Sequence, residues 1–349
     1  MSTPSAAFAP LILRKPAVRG RGGAVATQNG RASRVALEVL AAGGHAVDAA
    51  IAAAFALGVV EPWMSGLGGV GCGLVFEAES GRSVAIDFGA RASRHLDPSA
   101  YALSGAPPCD LFPWPGVVED RNRMGPLAIA IPAEIRGLSL LHRRFGRLPW
   151  PELLQPAIAL ARAGLVIDWY ASLQIAAHAR ELRQFPSTAA VFLPDGLPPA
   201  PDPEGRSVCL PLGQLAATLE QLAAAGADDF YCGDIARELL ADLRTFGSPI
   251  AADDLARCSA QLREPLGHER LGRQWHAMPG LFGGQTLIRA LASFGPESLG
   301  PGAVHANGWR YLARALLAAF TERLATLGDS GIDGCTSHLC VVDAAGNMV

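Results

Sequence analysis

The residues of this sequence best suited to chemistry stand near its end: Thr336-Ser337-His338, followed by Leu339-Cys340-Val341-Val342-Asp343. A threonine hydroxyl is a weak nucleophile until a base is placed beside it. Cleavage of the peptide bond between Cys335 and Thr336 would free an α-amine with a pKa of about 7.7–8.0 next to its own Oγ, so one residue would supply both nucleophile and base. Small residues before the bond, Gly334 and Cys335, and a strand after it would present it at a chain reversal. The strand is read from alternation, with Leu339, Val341 and, after a turn, Met348 on one face and His338, Cys340 and Val342 on the other. Ala345-Gly346-Asn347 is the turn. The second strand has barely begun at Val349, which leaves its ladder groups without partners and reads as the front part of something longer.

The elements that must position this run come earlier. Ala24–Thr27 reads as a strand, Asn29 as a cap, and 32–40 as a helix stopped by Gly43-Gly44. Residues 46–59 are almost entirely Ala, Val, Ile, Leu and Phe, which predicts a helix buried on most sides. Asp48 in its first turn reads as a capping carboxylate that complements the helix dipole. Ser65-Gly66-Leu67-Gly68-Gly69-Val70-Gly71-Cys72-Gly73 has no helix with Lys and Ser/Thr after it, which a phosphate-binding loop needs. A hairpin follows instead, 74–78 and 84–88 around Glu79-Ser80-Gly81. The glycines therefore either let two layers pack tightly or line a cleft.

The stretch from Ser104 to Leu127 is rich in Pro and Gly and reads as a surface loop or lid; Trp114 within it either anchors packing or covers a site. From Pro151 onward helices are expected at 152–163, 212–225, 235–243, at Leu255 behind the caps Asp253 and Asp254, and at 286–293 and 309–327. Strands are expected at 263–271 and 274–278.

Composition sets bounds. The 349 residues are 50% hydrophobic and 17% charged with net charge −3, which excludes wholesale disorder and gives no electrostatic pull toward nucleic acid or membrane. Lys15 is the one lysine. Seven cysteines stand singly, and no His pair has ligand spacing, so no disulfide framework, metal or cofactor is assigned. No signal peptide is evident and the longest apolar stretch, 49–60, is too short for a bilayer, so a cytoplasmic location is expected.

Taken together, the motifs resemble the γ-glutamyltranspeptidase family of N-terminal nucleophile hydrolases. The likeness runs through Gly43-Gly44-His45-Ala46-Val47-Asp48-Ala49-Ala50, Val60-Glu61-Pro62, Ser65-Gly66-Leu67-Gly68-Gly69 and Ile131-Pro132-Ala133-Glu134 with Gly137. It continues through Phe145-Gly146, Gln155-Pro156-Ala157-Ile158, Asp229-Phe230-Tyr231 and Asp253-Asp254-Leu255, and closes on Thr336-Ser337-His338-Leu339 with Val341-Val342-Asp343 and Gly346-Asn347. The resemblance implies an α+β fold, a four-layer αββα sandwich incomplete at the C-terminus. It implies a lead-in at 1–23, a large-subunit region at 24–335, self-cleavage between Cys335 and Thr336, and the start of a small subunit at 336–349. Thr336 would then attack a γ-glutamyl amide of the glutathione kind and pass the acyl group to water or an amino acid, with Ser337 orienting it. The expected partners are that small-molecule amide and the rest of the small-subunit polypeptide.

Two departures from the family pattern bear on substrate. The family's carboxylate-binding Arg after the Ile-Asp of the hairpin is Gly89 here, with Arg91 two residues on; along a strand that keeps the face and moves the side chain by roughly 6.6 Å. Arg91 is the candidate clamp in its place. Met278-Pro279-Gly280-Leu281-Phe282-Gly283-Gly284 lacks the serines of the family's segment, which implies an acyl group other than γ-glutamyl or relaxed specificity. A glutaryl-type acylase of the same family and a non-catalytic remnant that pairs with another chain are the competing expectations.

Overall fold

The computed structural model describes residues 17–105, 115–202, 204–270, 272–293, 306–326 and 337–349. Trp114, Cys109, Cys335 and Thr336 lie outside them.

The chain enters as strand β1 (Gly23–Thr27) and helix α1 (Gly30–Ala41). As expected, Asn29 caps the helix, its Oδ1 accepting the Arg31 N–H at 3.0 Å. Helix α2 (Ala46–Val60) is buried at every position except Ala54 and Gly58, so its uniform apolarity is satisfied by packing on all sides. Asp48 does cap it: one carboxylate oxygen accepts the His45 N–H at 2.8 Å. The same side chain also accepts the Arg147 N–H at 3.0 Å, which ties a distant loop to the start of α2.

Strands β2 (Gly71–Glu77) and β3 (Arg82–Phe88) form the expected hairpin. Helices α3 (Glu134–Phe145) and α4 (Trp150–Ala163) come next, and α4 packs beside α2. A satellite follows, with β4 (Leu165–Val166), α5 (Trp169–Ala177), α6 (Ala179–Leu182), α7 (Pro186–Phe192) and β5 (Cys209–Leu210). It has a small core of its own around Leu165, Ile167, Ile175, Leu193 and Leu210. Helices α8 (Leu215–Ala225), α9 (Asp229–Cys232), α10 (Asp234–Thr245) and α11 (Ala252–Arg257) return to the main core. After them run β6 (Gln261–Arg263), β7 (Leu266–Arg270), β8 (Arg273–Ala277), α12 (Gly284–Ala292), α13 (Ala306–Thr326) and β9 (Leu339–Asp343). The single strand expected from residue 263 is in fact two: Pro265, which has no N–H to give a ladder, separates β6 from β7. No helix among the described residues is long and apolar enough to cross a membrane.

The two ends of the chain meet in one antiparallel array. Strand β9 pairs with β1, Leu339 opposite Thr27 and Asp343 opposite Gly23. The chain then turns through Gly346, whose φ of +86° suits a residue without a Cβ. Met348 bridges Val342 on one side and Phe76 of β2 on the other, and β2, β3 and β6 continue the array.

Two expectations are corrected here. Met348 shares its face with Val342 and is half-exposed, while Val349 pairs with Val341 and joins Leu339 against the core. A turn closed by the pair Asp343–Asn347 sets that register. The ladder groups of Met348 and Val349 are also not orphaned. Met348 exchanges both bonds with Phe76 (3.0 and 2.9 Å), and Val349 exchanges both with Val341 (2.9 Å each).

Candidate active site

Strand β9 is fixed at its far end by Asp343. One carboxylate oxygen accepts the Ala46 N–H at 3.1 Å, at the positive end of α2, and the Asn347 Nδ2 at 2.8 Å; the other accepts the N–H groups of Ala345 and Asn347. Burial pushes the Asp343 carboxyl up, but the bonds from Asn347 and Ala46 and the nearby His45 ring outweigh it and hold it below its ordinary range. The strand's entry is held at the opposite end of α2. There Ser337 donates from Oγ to Oε2 of Glu61 at 3.4 Å. Glu61 is the buried C-cap residue of α2. Burial raises its pKa, partly opposed by hydrogen bonds from Ser337 and Asn29, while the charge of Asp168 adds to the rise.

The glycine-dense segment starts from the same residue, since the Glu61 carbonyl accepts from the N–H of Met64 and Ser65. It packs its backbone onto α2: a Cβ on Gly58 would lie 3.2 Å from the Gly66 Cα. Further on, the Gly69 carbonyl accepts the N–H of both Ala133 and Glu134 at 2.9 Å and so sets the start of α3. The glycines thus do both things expected of them. They pack two layers closely, and Gly58 and Gly66 line a cavity of about 170 Å³ with Phe55, Leu67, Glu134 and Leu219. Burial in these apolar surroundings pushes the Glu134 carboxyl up to about 7.

Arg91 lies on the other side of residues 131–134. It lines a second cavity, about 250 Å³, with Arg94 and Arg257 above a floor of Ile131, Ala133 and Cys258. None of the three guanidinium groups makes an ion pair among the described residues. The one carboxylate in the wall, Asp254, is committed elsewhere. It accepts from Ser93 Oγ at 2.7 Å and from the N–H groups of Arg94 and Ala251 at 3.1 Å each. The cavity is therefore cationic and suits a carboxylate. At its edge, Gly89 is covered by Phe282 of the segment 278–284: a Cβ there would meet the ring's Cζ at 2.9 Å.

Of the residues singled out from sequence, Cys335 and Thr336 lie outside the described residues. Ser337 is placed against Glu61 and Arg91 in the cationic cavity, and no contact among the described residues joins the two. Sequence reasoning missed the partners. Glu61 stood in a quoted motif without a role, although an acid after a wholly apolar helix and before Pro62 was a visible signal. Arg94 and Arg257 had none, because Arg257 is brought to Arg91 by tertiary structure alone. His95, Asp253 and Asp254 place three possible ligand atoms within 4.8 Å, but these atoms already bond to one another or to backbone. His95 Nε2 meets Asp253 Oδ1 at 2.9 Å, a latch between the segment after β3 and α11.

The sequence profile of the γ-glutamyltranspeptidase family matches residues 32–334. The chain belongs to this family. Glutathione hydrolase 2 of Arabidopsis thaliana is 34% identical over 313 residues, 88% of this chain and 50% of that protein. The acylase ACY 1 proenzyme of Pseudomonas sp. (strain SE83) is also 34% identical, over 90% of this chain and 55% of its own length. The chain thus spans about half the length of the curated relatives it matches. Among solved structures, the γ-glutamyltranspeptidase of Pseudomonas nitroreducens complexed with L-DON superposes with a TM-score of 0.75 at 30% identity, covering 89% of this chain and 88% of that one. The Helicobacter pylori γ-glutamyltranspeptidase gives 0.77 at 26% identity, covering 90% and 87%. The α+β fold is that of the family's N-terminal nucleophile hydrolases.

Proposed function

We propose that the protein of which this chain is part is a self-cleaving amidohydrolase or acyltransferase with Thr336 as its nucleophile. In maturation, Thr336 Oγ attacks the carbonyl carbon of Cys335. The C–N bond then breaks with the Oγ proton passing to the Thr336 nitrogen, and water hydrolyses the resulting ester, leaving a Cys335 carboxylate and a free Thr336 amine. In turnover, Oγ attacks the substrate amide and passes its proton to the α-amine; the C–N bond breaks and the leaving amine takes the proton. Water or an amino acid then removes the acyl group from oxygen. Residues 24–335 would form the large subunit, and 336–349 would begin the small one, whose remaining polypeptide is the partner.

The observation that carries this reading is the anchoring of the run after Thr336. Glu61 holds Ser337 and Asp343 holds the far end of β9, so the run that follows Thr336 in sequence is anchored at both ends; family membership supports the rest. Arg91, with Arg94 and Arg257, would hold a substrate carboxylate, and Ser337 would orient Thr336.

The test is Thr336→Ala in the complete protein, followed by intact-mass analysis and amide turnover. The variant should stay uncut and inactive; survival of cleavage or of turnover overturns the assignment.

A glutaryl-type acyl donor is the second reading, favoured by Phe282 over Gly89 and by the missing serines. Parallel panels of γ-glutamyl and glutaryl amides separate the two by kcat/KM.

A further inference from the structure

Glu61 is a buried carboxylate whose side chain serves two segments at once, the cap of α1 through Asn29 and the start of β9 through Ser337. It sits at the C-cap of α2, where the helix dipole is negative and disfavours a second negative charge. It is buried, and Asp168 adds a further like charge in its vicinity. A C-cap role needs only its backbone, which receives the N–H of Met64 and Ser65. The side chain bonds to Asn29 and also reaches across 276 positions of sequence to the hydroxyl of Ser337. An ionisable group retained against burial, dipole and a neighbouring charge is the pattern of a functional group.

We propose that Glu61 is a positioning residue for self-cleavage, holding the Ser337 hydroxyl so that the backbone on the C-terminal side of the Cys335–Thr336 bond stays fixed while Thr336 attacks. The inference rests on the reading of Thr336 as the nucleophile. It gives α2 a part in that chemistry: its N-terminus holds the exit of β9 through Asp343, and its C-terminus holds the entry through Glu61. Residues 337–343 are thus held at both ends by one buried helix.

The experiment is the first-order rate of self-cleavage of the full-length precursor, followed by intact mass. Glu61→Gln and Ser337→Ala should each slow cleavage about tenfold, as expected for loss of a charge-assisted hydrogen bond. The double variant should be no slower than the slower single one, because Ser337→Ala removes the bond that Glu61→Gln weakens by taking away its charge. Ser337→Thr keeps the hydroxyl and should restore a rate close to that of the unaltered protein, which a role in packing alone would not produce. If Glu61→Gln does not fold, the Ala and Thr variants at Ser337 carry the test. Multiplying effects in the double variant, unchanged rates, or a Ser337→Thr variant as slow as Ser337→Ala would each overturn the proposal. A Thr336→Ala protein still cut at the same bond would instead overturn the nucleophile assignment itself. A blocked Thr336→Ala protein beside a normal Glu61→Gln protein would remove only the role of Glu61.

Discussion

Phe282 lies over Gly89 so closely that a methyl group built on the glycine would meet the ring's Cζ at 2.9 Å. The position at which the family's pattern has a carboxylate-binding Arg is thus closed to any side chain while the ring stays. Gly89→Ala should cost about 1–3 kcal/mol by overpacking, and Phe282→Ala should relieve most of that cost. Denaturant melts of the two single variants and the double variant check this. Independent, additive costs would mean that the two residues do not share the space.

The cationic cavity gives a kinetic prediction. Arg91→Ala should raise KM about tenfold for amides whose acyl group carries a carboxylate, with kcat changed little, through loss of a charge-assisted bond. An uncharged acyl analogue should be indifferent to the change. Arg257→Ala should act in the same direction. Equal losses for charged and neutral substrates would remove the cavity from substrate binding.

Asp343 should be costly to lose. Asp343→Ala strands the buried N–H groups of Ala46 and Asn347, at about 1–3 kcal/mol for each group left unpaired. Because its folded pKa is depressed, its contribution is present above the ordinary carboxylate range and is lost as pH falls through the lower, folded value. An acid titration of stability should therefore be shallower in Asp343→Asn than in the unaltered protein.

Glu134 behaves oppositely. Its folded pKa, about 7, lies above that of the unfolded chain. The native state therefore binds the proton more tightly. The resulting stabilisation is complete below about pH 4.3 and is lost as pH rises through about 7. Glu134→Gln removes this dependence. Its Tm relative to the unaltered protein should rise between pH 5 and pH 8, and a constant difference would place Glu134 in contact with water.

Much of this architecture was legible in the sequence, and the failures have physical causes. Uniform apolarity exposed α2, and glycine stops exposed α1 and α4, because those signals are local. Helix α3 went unread although Ile135, Leu138 and Leu141 recur at helical spacing, since its start is set by the distant Gly69 carbonyl and not by a capping side chain. The strand faces at 339–343 were read correctly, but Met348 was put on the wrong one, because the register across a turn depends on how the turn closes. In the site, Ser337 was named from its motif and Arg91 from its spacing to the hairpin. The pairings made by tertiary structure, Glu61 with Ser337 and Arg257 with Arg91, have no pattern in one dimension, although Glu61 itself stood out as an acid closing a wholly apolar helix.

The array that joins β1, β9, Met348 and β2 changes what a break at the Cys335–Thr336 bond would mean. Gly23–Thr27 and Phe76 lie upstream of that bond, and their ladder partners lie downstream. Severing the chain there would separate nothing. Residues 339–348 would remain paired to β1 on one side and to Phe76 of β2 on the other, and a contact internal to one polypeptide would become a subunit interface. Such a pair should melt in a single transition and resist separation by dilution, because neither piece can leave without opening the sheet that both complete.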